Sequence, residues 1–191
     1  MGKKGCVVIK ERVKAFKREL ILQRVSELIE ERGFEKLKMV DIAAACGISV
    51  GALYKLFSSK DELFYAYMDY QIDLFYRTLK SIFAGVEDPK ERIRIYIELK
   101  FETLKTKKQL LNDTLAADPL FFAKFNVSKQ NPAKKVYALL AEQLELLGAE
   151  DGLRLAYMLG GMTMGCIEMW LAGDGELDAD YAYKHFIKIL L

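Results

Sequence analysis

Residues 39–60 read MVDIAAACGISVGALYKLFSSK, which is two short helical patterns separated by a tight turn. Gly47 lies just after the first pattern, where a glycine can adopt the positive φ that ends a helix. Ser49 lies just before the second, where its hydroxyl can accept a hydrogen bond from a free helix amide. Small residues allow the two helices to cross closely, at the steep angle of a helix-turn-helix. The stretch therefore predicts a unit that places its second helix in the major groove of DNA.

Helix-start and helix-stop residues divide the rest of the chain into further helices. A first helix is predicted from about Ile9 to Arg32, with Gly33 as its stop. Its apolar stripe comprises Leu20, Val25, Leu28 and Ile29. Later helices begin at a Ser-x-x-Glu capping box at Ser59 and at an Asp-Pro pair at Asp88. Because the 191 residues contain only three prolines and no alternating strand pattern, we predict an all-α fold of about nine helices.

Charge is distributed unevenly, although the net charge of the chain is only +2. Residues 1–60 contain 13 Lys and Arg against 7 Asp and Glu, whereas residues 61–191 contain 16 against 20. A basic N-terminal third favours contact with a polyanion, and chance clustering on solvated helices is the alternative. We predict a helix-turn-helix DNA-binding domain at residues 1–57 and a second domain at residues 58–191.

Two features of composition bear on where the protein works. The three cysteines have no C-x-x-C spacing and are odd in number, which argues against a disulfide framework and favours the cytoplasm. Residues 153–172 are largely apolar, but Arg154 and Glu168 leave only 13 uncharged residues between them. Because a membrane span needs about 20 such residues, we expect a buried helix there and no membrane partner.

Some dozen residues in and around the helix-turn-helix agree in order and spacing with a known signature. They are Gly33-Phe34, Asp41-Ile42-Ala43, Cys46-Gly47-Ile48-Ser49, Gly51-Ala52-Leu53-Tyr54, Phe57 and Lys60-Asp61-Glu62-Leu63. The pattern resembles the N-terminal signature of TetR-family (tetracycline-repressor-like) transcriptional regulators over about residues 9–70. The resemblance implies a homodimer whose first three helices bind operator DNA. It also implies that the remaining six helices form a ligand-sensing and dimerising body.

The resemblance assigns roles to residues of the first domain. Tyr54 resembles the family tyrosine that donates to a phosphate, and a half-buried packing role is the alternative. Lys60 resembles the lysine that contacts a phosphate at the start of the fourth helix, and a merely solvated charge is the alternative. Gly51 has no side chain, so its backbone can approach the sugar-phosphate chain closely. The residues predicted to bind DNA are Lys38, Ser49, Val50, Gly51, Ala52, Tyr54, Lys55 and Lys60.

Two residues depart from the family pattern. Lys38 stands where a threonine usually caps the second helix, and a lysine cannot accept hydrogen bonds from free amides, so we expect a weaker cap there. Its charge can still reach a phosphate. Ala52 stands where threonine is common, which replaces a hydroxyl contact by an apolar one with a base such as thymine. The basic residues from Lys3 to Arg18 form either further DNA contacts or a solvated arm.

The second domain is rich in aromatic residues and methionines, which line apolar pockets and equally fill ordinary cores. Within a family of sensors, we expect a set of them to bind a small, largely apolar effector. The predicted pocket residues are Phe101, Phe122, Phe125, Tyr137, Met162, Cys166 and Trp170. Glu168 and Arg154 are the candidates for a polar anchor. The last two helices resemble the family's dimer interface, which implies a palindromic operator on double-stranded DNA.

Together these observations predict a homodimeric repressor that a small, largely apolar effector releases from its operator. A DNA-binding regulator without a small-molecule effector is the alternative. An enzyme is disfavoured because the chain has a single histidine, His185, and neither a glycine-rich phosphate loop nor a nucleophile motif. No catalytic residue, metal site or cofactor is predicted.

Overall fold

The computed structural model describes residues 2–117 and 132–190 of the chain. Within these ranges the backbone forms nine α-helices and no strand, so the predicted all-α class is confirmed. The helices are α1 (Gly2–Arg32), α2 (Met39–Ala45), α3 (Val50–Tyr54), α4 (Lys60–Phe83), α5 (Pro89–Lys105), α6 (Lys108–Ala117), α7 (Lys134–Leu146), α8 (Gly152–Ala172) and α9 (Ala179–Leu190). The predicted pocket residues Phe122 and Phe125 lie outside the described residues.

The chain divides into two compact units, Met1–Ile72 and Asp73–Leu191, and the division falls inside α4. The first unit continues past residue 57 because the first half of α4 packs with α1. Gln71 of α4, for example, donates to the Ser26 hydroxyl of α1 at 3.0 Å. The boundary predicted at residue 57 marks the end of the DNA-binding domain, which differs from the end of a compact unit. It stays a prediction.

Helix α1 is longer than predicted, and its buried face comprises different residues from those predicted. It begins at Gly2 instead of at about residue 9, so its first turns are helical. Leu20 was placed on the core stripe, but it is 49% exposed. Successive helical residues project about 100° apart, and a stripe centred one residue later excludes Leu20. The buried residues of α1 are Ile21, Leu22, Val25, Leu28 and Ile29.

Side-chain caps fix two helix starts that the sequence predicted. The Asp88 carboxylate accepts from the Lys90 amide at 2.9 Å at the start of α5. At α4, the Ser59 hydroxyl accepts from the Glu62 amide at 3.0 Å. The Glu62 carboxylate instead accepts from both the amide and the hydroxyl of Ser58, at 2.7 and 2.6 Å. The capping box predicted at Ser59 is therefore half formed, because Ser58 offers two donors.

In the second unit, α7 packs against α5 and α8, and α9 packs against α5 and α8. Two glycines of α8 permit its close approach to α7. A Cβ added at Gly152 would lie 2.5 Å from the Ala141 carbonyl oxygen, and one added at Gly160 would lie 2.7 Å from the Tyr137 ring. Larger residues at these positions would separate the two helices.

Helix α8 is long and apolar enough to cross a membrane by length and composition alone. One of its faces is buried within the second unit, at residues that include Ala156, Leu159, Thr163 and Ile167. Another face exposes Leu153, Tyr157, Met158 and Met169. This distribution is typical of a core helix that leaves one apolar face uncovered.

The contact at Gly152 provides a test of the α7–α8 packing. We expect Gly152→Ala to lower the free energy of unfolding by about 1–3 kcal/mol, because the Ala141 carbonyl cannot move away without distorting α7. Gly51→Ala is the matched control in the first turn of another helix. Its Cβ would meet no atom within 4 Å, so stability should be unchanged or rise by up to about 1 kcal/mol. Urea denaturation followed by circular dichroism measures both, and equal losses would contradict the assigned packing.

Candidate DNA interface and candidate effector site

The turn between α2 and α3 has the geometry that its sequence predicts. Gly47 has a φ of 65°, a left-handed conformation that residues with side chains disfavour. Its amide donates to the Ala44 carbonyl at 3.1 Å. The Ser49 hydroxyl accepts from the Ala52 amide at 3.2 Å and thereby caps α3. Local hydrogen bonds therefore fix both ends of the turn.

Fully buried apolar side chains lie behind α3. They are Ile42 and Ala43 of α2, Leu53 of α3 and Phe57, three residues after the end of α3, all at most 1% exposed. The apolar face of α2 is narrower than predicted, because Ala45 is exposed and Cys46 is half-buried. Ala45 is the last residue of α2 and Cys46 caps its C-terminus. No further turn of α2 follows them to extend the buried face.

Arg18 of α1 ties the residues after α3 to the first helix. Its guanidinium carbon lies 4.2 Å from the centroid of the Phe57 ring, and its Nη1 donates to the Leu56 carbonyl. Nη1 also lies 3.6 Å from the Glu62 carboxylate of α4. Such cation–π contacts contribute about 0.5–1 kcal/mol at partly exposed sites. This member of the basic N-terminal stretch therefore has a structural role.

Most residues predicted to bind DNA are exposed on α3 and the preceding turn. Tyr54 is 48% exposed and Val50 is 36% exposed. The DNA contact of Tyr54 stays a prediction, and a half-buried packing role stays its alternative. The Tyr54 hydroxyl has no hydrogen-bond partner in the described part of the chain. A Cβ added at Gly51 would meet nothing within 4 Å, so the backbone there is open. Lys38, Ser49 and Lys55 are also exposed, and Ala52 is half-buried.

Lys38 precedes α2 without capping it through its side chain. The Asp41 carboxylate accepts from the Lys38 amide at 3.3 Å, which is one half of a capping box. The reciprocal bond cannot form, because an ammonium group has no lone pair for the free amides of α2. The Lys38 charge is exposed. Its contact with a phosphate stays a prediction.

Lys60 is held inside the first unit more firmly than a solvated charge would be. Its Nζ donates to the Glu35 carbonyl at 3.1 Å and lies 4.5 Å from the centroid of the Phe34 ring. An ammonium group has three protons, so the remaining donors are open to a phosphate. Lys60 therefore has a structural contact, and its DNA contact stays a prediction.

The described residues of the predicted pocket lie on α5, α7 and α8. Phe101 of α5 is 1% exposed and belongs to the core. The ring centroids of Tyr137 on α7 and Tyr157 on α8 lie 4.3 Å apart. The ring centroid of Trp170 lies 4.7 Å from the Lys108 Nζ. The half-buried members are Tyr137, Met162, Cys166 and Trp170. Their joint role as an effector pocket stays a prediction.

One charged residue that the sequence did not single out lies in this region. The Lys100 Nζ of α5 donates to the Thr163 hydroxyl of α8 at 2.6 Å, and Thr163 is 0% exposed. Burial of the ammonium group lowers the pKa of Lys100 to about 8. The two residues suggested as a polar anchor, Glu168 and Arg154, are both exposed. Lys100 is half-buried as a whole residue, and its ammonium group ends on the buried Thr163 hydroxyl.

The chain is similar to known regulators in sequence. Residues 21–67 match the family model described as bacterial regulatory proteins, tetR family. The HTH-type transcriptional activator FasR of Mycolicibacterium smegmatis is 25% identical over 172 residues, which span 88% of this chain and 78% of FasR. Two further relatives match over only 34% and 33% of their own length.

The chain is also similar to solved structures. The repressor FadR of Thermus thermophilus, in complex with lauroyl-CoA, has a TM-score of 0.64 and 20% identity, covering 91% of this chain and 92% of FadR. AibR, in complex with isovaleryl coenzyme A and operator DNA, has a TM-score of 0.53 and 24% identity, covering 91% and 97%. At these identities the likeness shows a shared fold.

A capped, exposed helix on a buried apolar support, directly after a tight turn from another short helix, is the geometry of a helix-turn-helix unit. The family model and the relatives specify the class further. Residues 21–67 carry the domain of the tetR family of bacterial regulatory proteins, and the relatives that the chain resembles in sequence include HTH-type transcriptional regulators.

The buried ammonium group predicts an unusual pH dependence of stability. The pKa of Lys100 is about 8 in the folded chain, below its ordinary value of 10.5, so the unfolded chain binds the proton more tightly. Stability attributable to Lys100 therefore rises with pH between these two values. We expect Lys100→Met to be more stable than the wild type at pH 7, by about 1–3 kcal/mol, and this advantage to shrink above pH 8.

Urea denaturation of both proteins from pH 7 to about pH 9.5 measures this difference. The neighbouring Tyr96 and Tyr137 stay neutral over the window, since burial raises the pKa of both phenols, that of Tyr137 to about 12. Burial also raises the pKa of the Cys166 thiol, and a Cys166→Ala background removes its titration. A stability difference that does not change with pH would contradict a buried charge at Lys100.

Proposed function

We propose that the protein is a cytoplasmic, homodimeric repressor that binds a palindromic operator and is released from it by a small, largely apolar effector. The observation that carries the proposal is the exposed surface formed by α3 and its preceding turn. That surface presents Val50, Tyr54 and Lys55 to solvent, while the packing behind α3 holds it in place.

The chemistry of this surface suits the DNA backbone and the major groove. Tyr54 offers a free phenol donor and Lys55 a charge, both of which bind phosphates. Val50 and Ala52 offer apolar contact to a thymine methyl group. Because Gly51 leaves the backbone open, α3 can approach the duplex closely. The excess of basic residues in the first 60 adds long-range attraction to DNA.

The uncovered face of α8 supports dimerisation through the last two helices. Leu153 and Tyr157 are exposed and lie four residues apart on one helical face, and the exposed Gly161 and Gly165 continue the same spacing. An added Cβ at either glycine would meet nothing within 4 Å, which leaves room for a second helix. Two subunits joined here would form a four-helix bundle around a two-fold axis. Two-fold symmetry in turn requires a palindromic operator.

Two similar structures support an effector with an apolar part. FadR of Thermus thermophilus was solved with lauroyl-CoA, and AibR with isovaleryl coenzyme A and operator DNA. Both ligands carry an apolar acyl chain, which suits the aromatic and methionine residues of α7 and α8. FasR is an activator, so the direction of regulation must be measured and not assumed. The alternative is a regulator without a small-molecule effector. Its affinity for DNA would be unchanged by any such ligand.

DNA recognition is tested by selecting duplexes from a random pool at low salt, and we expect an inverted repeat with half-sites about one helical turn apart. On the selected duplex, Lys55→Met should reduce the salt dependence of binding by about one unit, because one phosphate contact is lost. Tyr54→Phe and Gly51→Ala should weaken binding while the chain stays folded. Lys80→Met removes an exposed charge in the second half of α4 and is the control.

The proposal fails at this step if selection enriches no inverted repeat. An unchanged salt dependence for Lys55→Met would remove the lysine from the DNA-binding surface. A loss with Lys80→Met equal to that with Lys55→Met would show that net charge, and not the surface on α3, determines affinity.

Effector control is tested separately from DNA binding. We expect molecules with an acyl chain of about 12 carbons to raise the midpoint of thermal unfolding and to release the selected duplex. Fluorescence anisotropy of the labelled duplex measures release, and transcription from a template carrying the duplex measures its direction. Specific DNA binding that no tested molecule relieves would favour the effector-free alternative.

A further inference from the structure

The ammonium group of Lys100 has few partners for its three protons. Its one short hydrogen bond is to the Thr163 hydroxyl at 2.6 Å, and the Gly160 carbonyl lies at the long distance of 3.5 Å. The Thr163 hydroxyl donates its one proton towards the Leu159 carbonyl at 2.9 Å and the Gly160 carbonyl at 3.0 Å. The Tyr96 ring centroid lies 5.8 Å away, at the outer limit of a cation–π contact. The residues that the structure describes therefore leave at least one strong donor of Lys100 without an acceptor.

No carboxylate neutralises this charge within the described residues. The other charged side chains of α5 form pairs of their own: Arg94 binds Glu91 and Glu98, and Lys105 binds Glu102. Lys100 takes part in no ion pair there. Lys100 is half-buried, and removing even part of the water around an unpaired charge costs free energy unless something compensates it.

The groups around Lys100 suit an anion on an apolar molecule. Tyr96 lies one turn earlier on α5, and Tyr137 lies against Gly160, the residue whose carbonyl is nearest to the ammonium group. Each tyrosine adds an apolar ring and a hydroxyl that can donate to an anion. Cys166 is a further neighbour, and burial keeps its thiol protonated by raising its pKa. The cluster thus offers donors and aromatic surface, and residues 2–117 and 132–190 add no competing negative charge to it.

We propose that Lys100 binds the anionic oxygen group of an otherwise apolar effector, with Thr163 positioning the ammonium group and Tyr96 and Tyr137 beside it. The inference rests on the proposed effector function and adds the charge of the ligand to it. A free carboxylate and a phosphate of a coenzyme A thioester share this chemistry. The experiment therefore includes both sources.

The test compares four probes that share a 12-carbon chain, on the full-length protein and below their aggregation concentrations. Dodecanoate carries a carboxylate, dodecanol is neutral, dodecyltrimethylammonium is cationic, and dodecanoyl-CoA carries phosphates. Calorimetry should show wild-type protein binding an anionic probe about ten- to a hundredfold more tightly than dodecanol, as a charge-assisted hydrogen bond implies. In Lys100→Met this preference should disappear, while affinity for dodecanol is retained.

Two variants separate this role from general effects of charge or packing. Lys108→Met is the matched control, since Lys108 is an exposed lysine beside an aromatic residue of α8 and should keep the full preference for the anion. Thr163→Val removes the positioning hydroxyl and should reduce the preference without abolishing it. Preference for dodecanoate identifies a carboxylate site, and preference for dodecanoyl-CoA alone identifies a phosphate site.

Internal compensation is tested with Asp118→Asn, which changes the one acidic residue of segment 118–131. Under the proposal, this substitution changes the stability of the wild type and of Lys100→Met equally. A loss of stability in the wild type that is absent in Lys100→Met would assign Lys100 to an internal ion pair and overturn the proposal.

The remaining outcomes distinguish this inference from the proposed function. If dodecanol binds as tightly as the anions and releases DNA from both wild type and Lys100→Met, effector control stands and the Lys100 assignment fails. If Lys100→Met keeps the preference for an anion, the assignment also fails. If no probe binds while the selected duplex is still bound, both the Lys100 assignment and effector control by such molecules fail, and DNA recognition stands.

Discussion

The five-residue helix α3 depends on the side chains packed behind it. An isolated helix of this length is unstable in water, because nucleation costs more free energy than a single turn returns. The Ser49 cap satisfies one free amide, and the complete burial of Leu53 and Phe57 supplies the tertiary contact. With its stability provided from behind, α3 can expose Val50 and Tyr54, which contribute little to its own folding. Under the proposed function, recognition and stability are thus assigned to different residues of one short segment.

Local features of the sequence predicted this region well, because each acts within a few residues. Gly47 and Ser49 have the predicted turn and cap, since a positive φ and a helix N-terminus impose narrow chemical requirements. Errors arose where the direction of a helix face mattered. Leu20 and Ala45 are apolar but exposed, because a stripe read from sequence is uncertain by about one residue, which is about 100° of rotation. The assignments of DNA contacts follow from the family resemblance and stay predictions.

Lys100 was not predictable from the sequence for a different reason. It lies between the core residues Ile97 and Phe101, where a lysine ordinarily extends its charge along the surface to water. Its partner Thr163 is 63 residues away, on α8. Only the tertiary arrangement, in which α7 and α9 each pack against both α5 and α8, brings the ammonium group to a buried hydroxyl. Periodicity reports which positions face a core, and it does not report where a long flexible side chain ends.

A missing carboxylate alone does not indicate a ligand, as Arg92 of α5 illustrates. Its guanidinium group donates to the Val86 carbonyl at 2.6 Å and to the Gln143 amide oxygen at 2.8 Å. The charge of Arg92 is delocalised over its guanidinium group, and two neutral acceptors bind different nitrogen atoms of that group. These two hydrogen bonds stabilise the arginine within the fold. Lys100 carries a compact charge with one short acceptor, so its desolvation is less well compensated. An anionic group in contact with Nζ would supply both the missing acceptor and the missing charge. The described residues of the folded chain supply neither. The free energy of binding such a ligand would therefore include relief of the cost of desolvating Lys100.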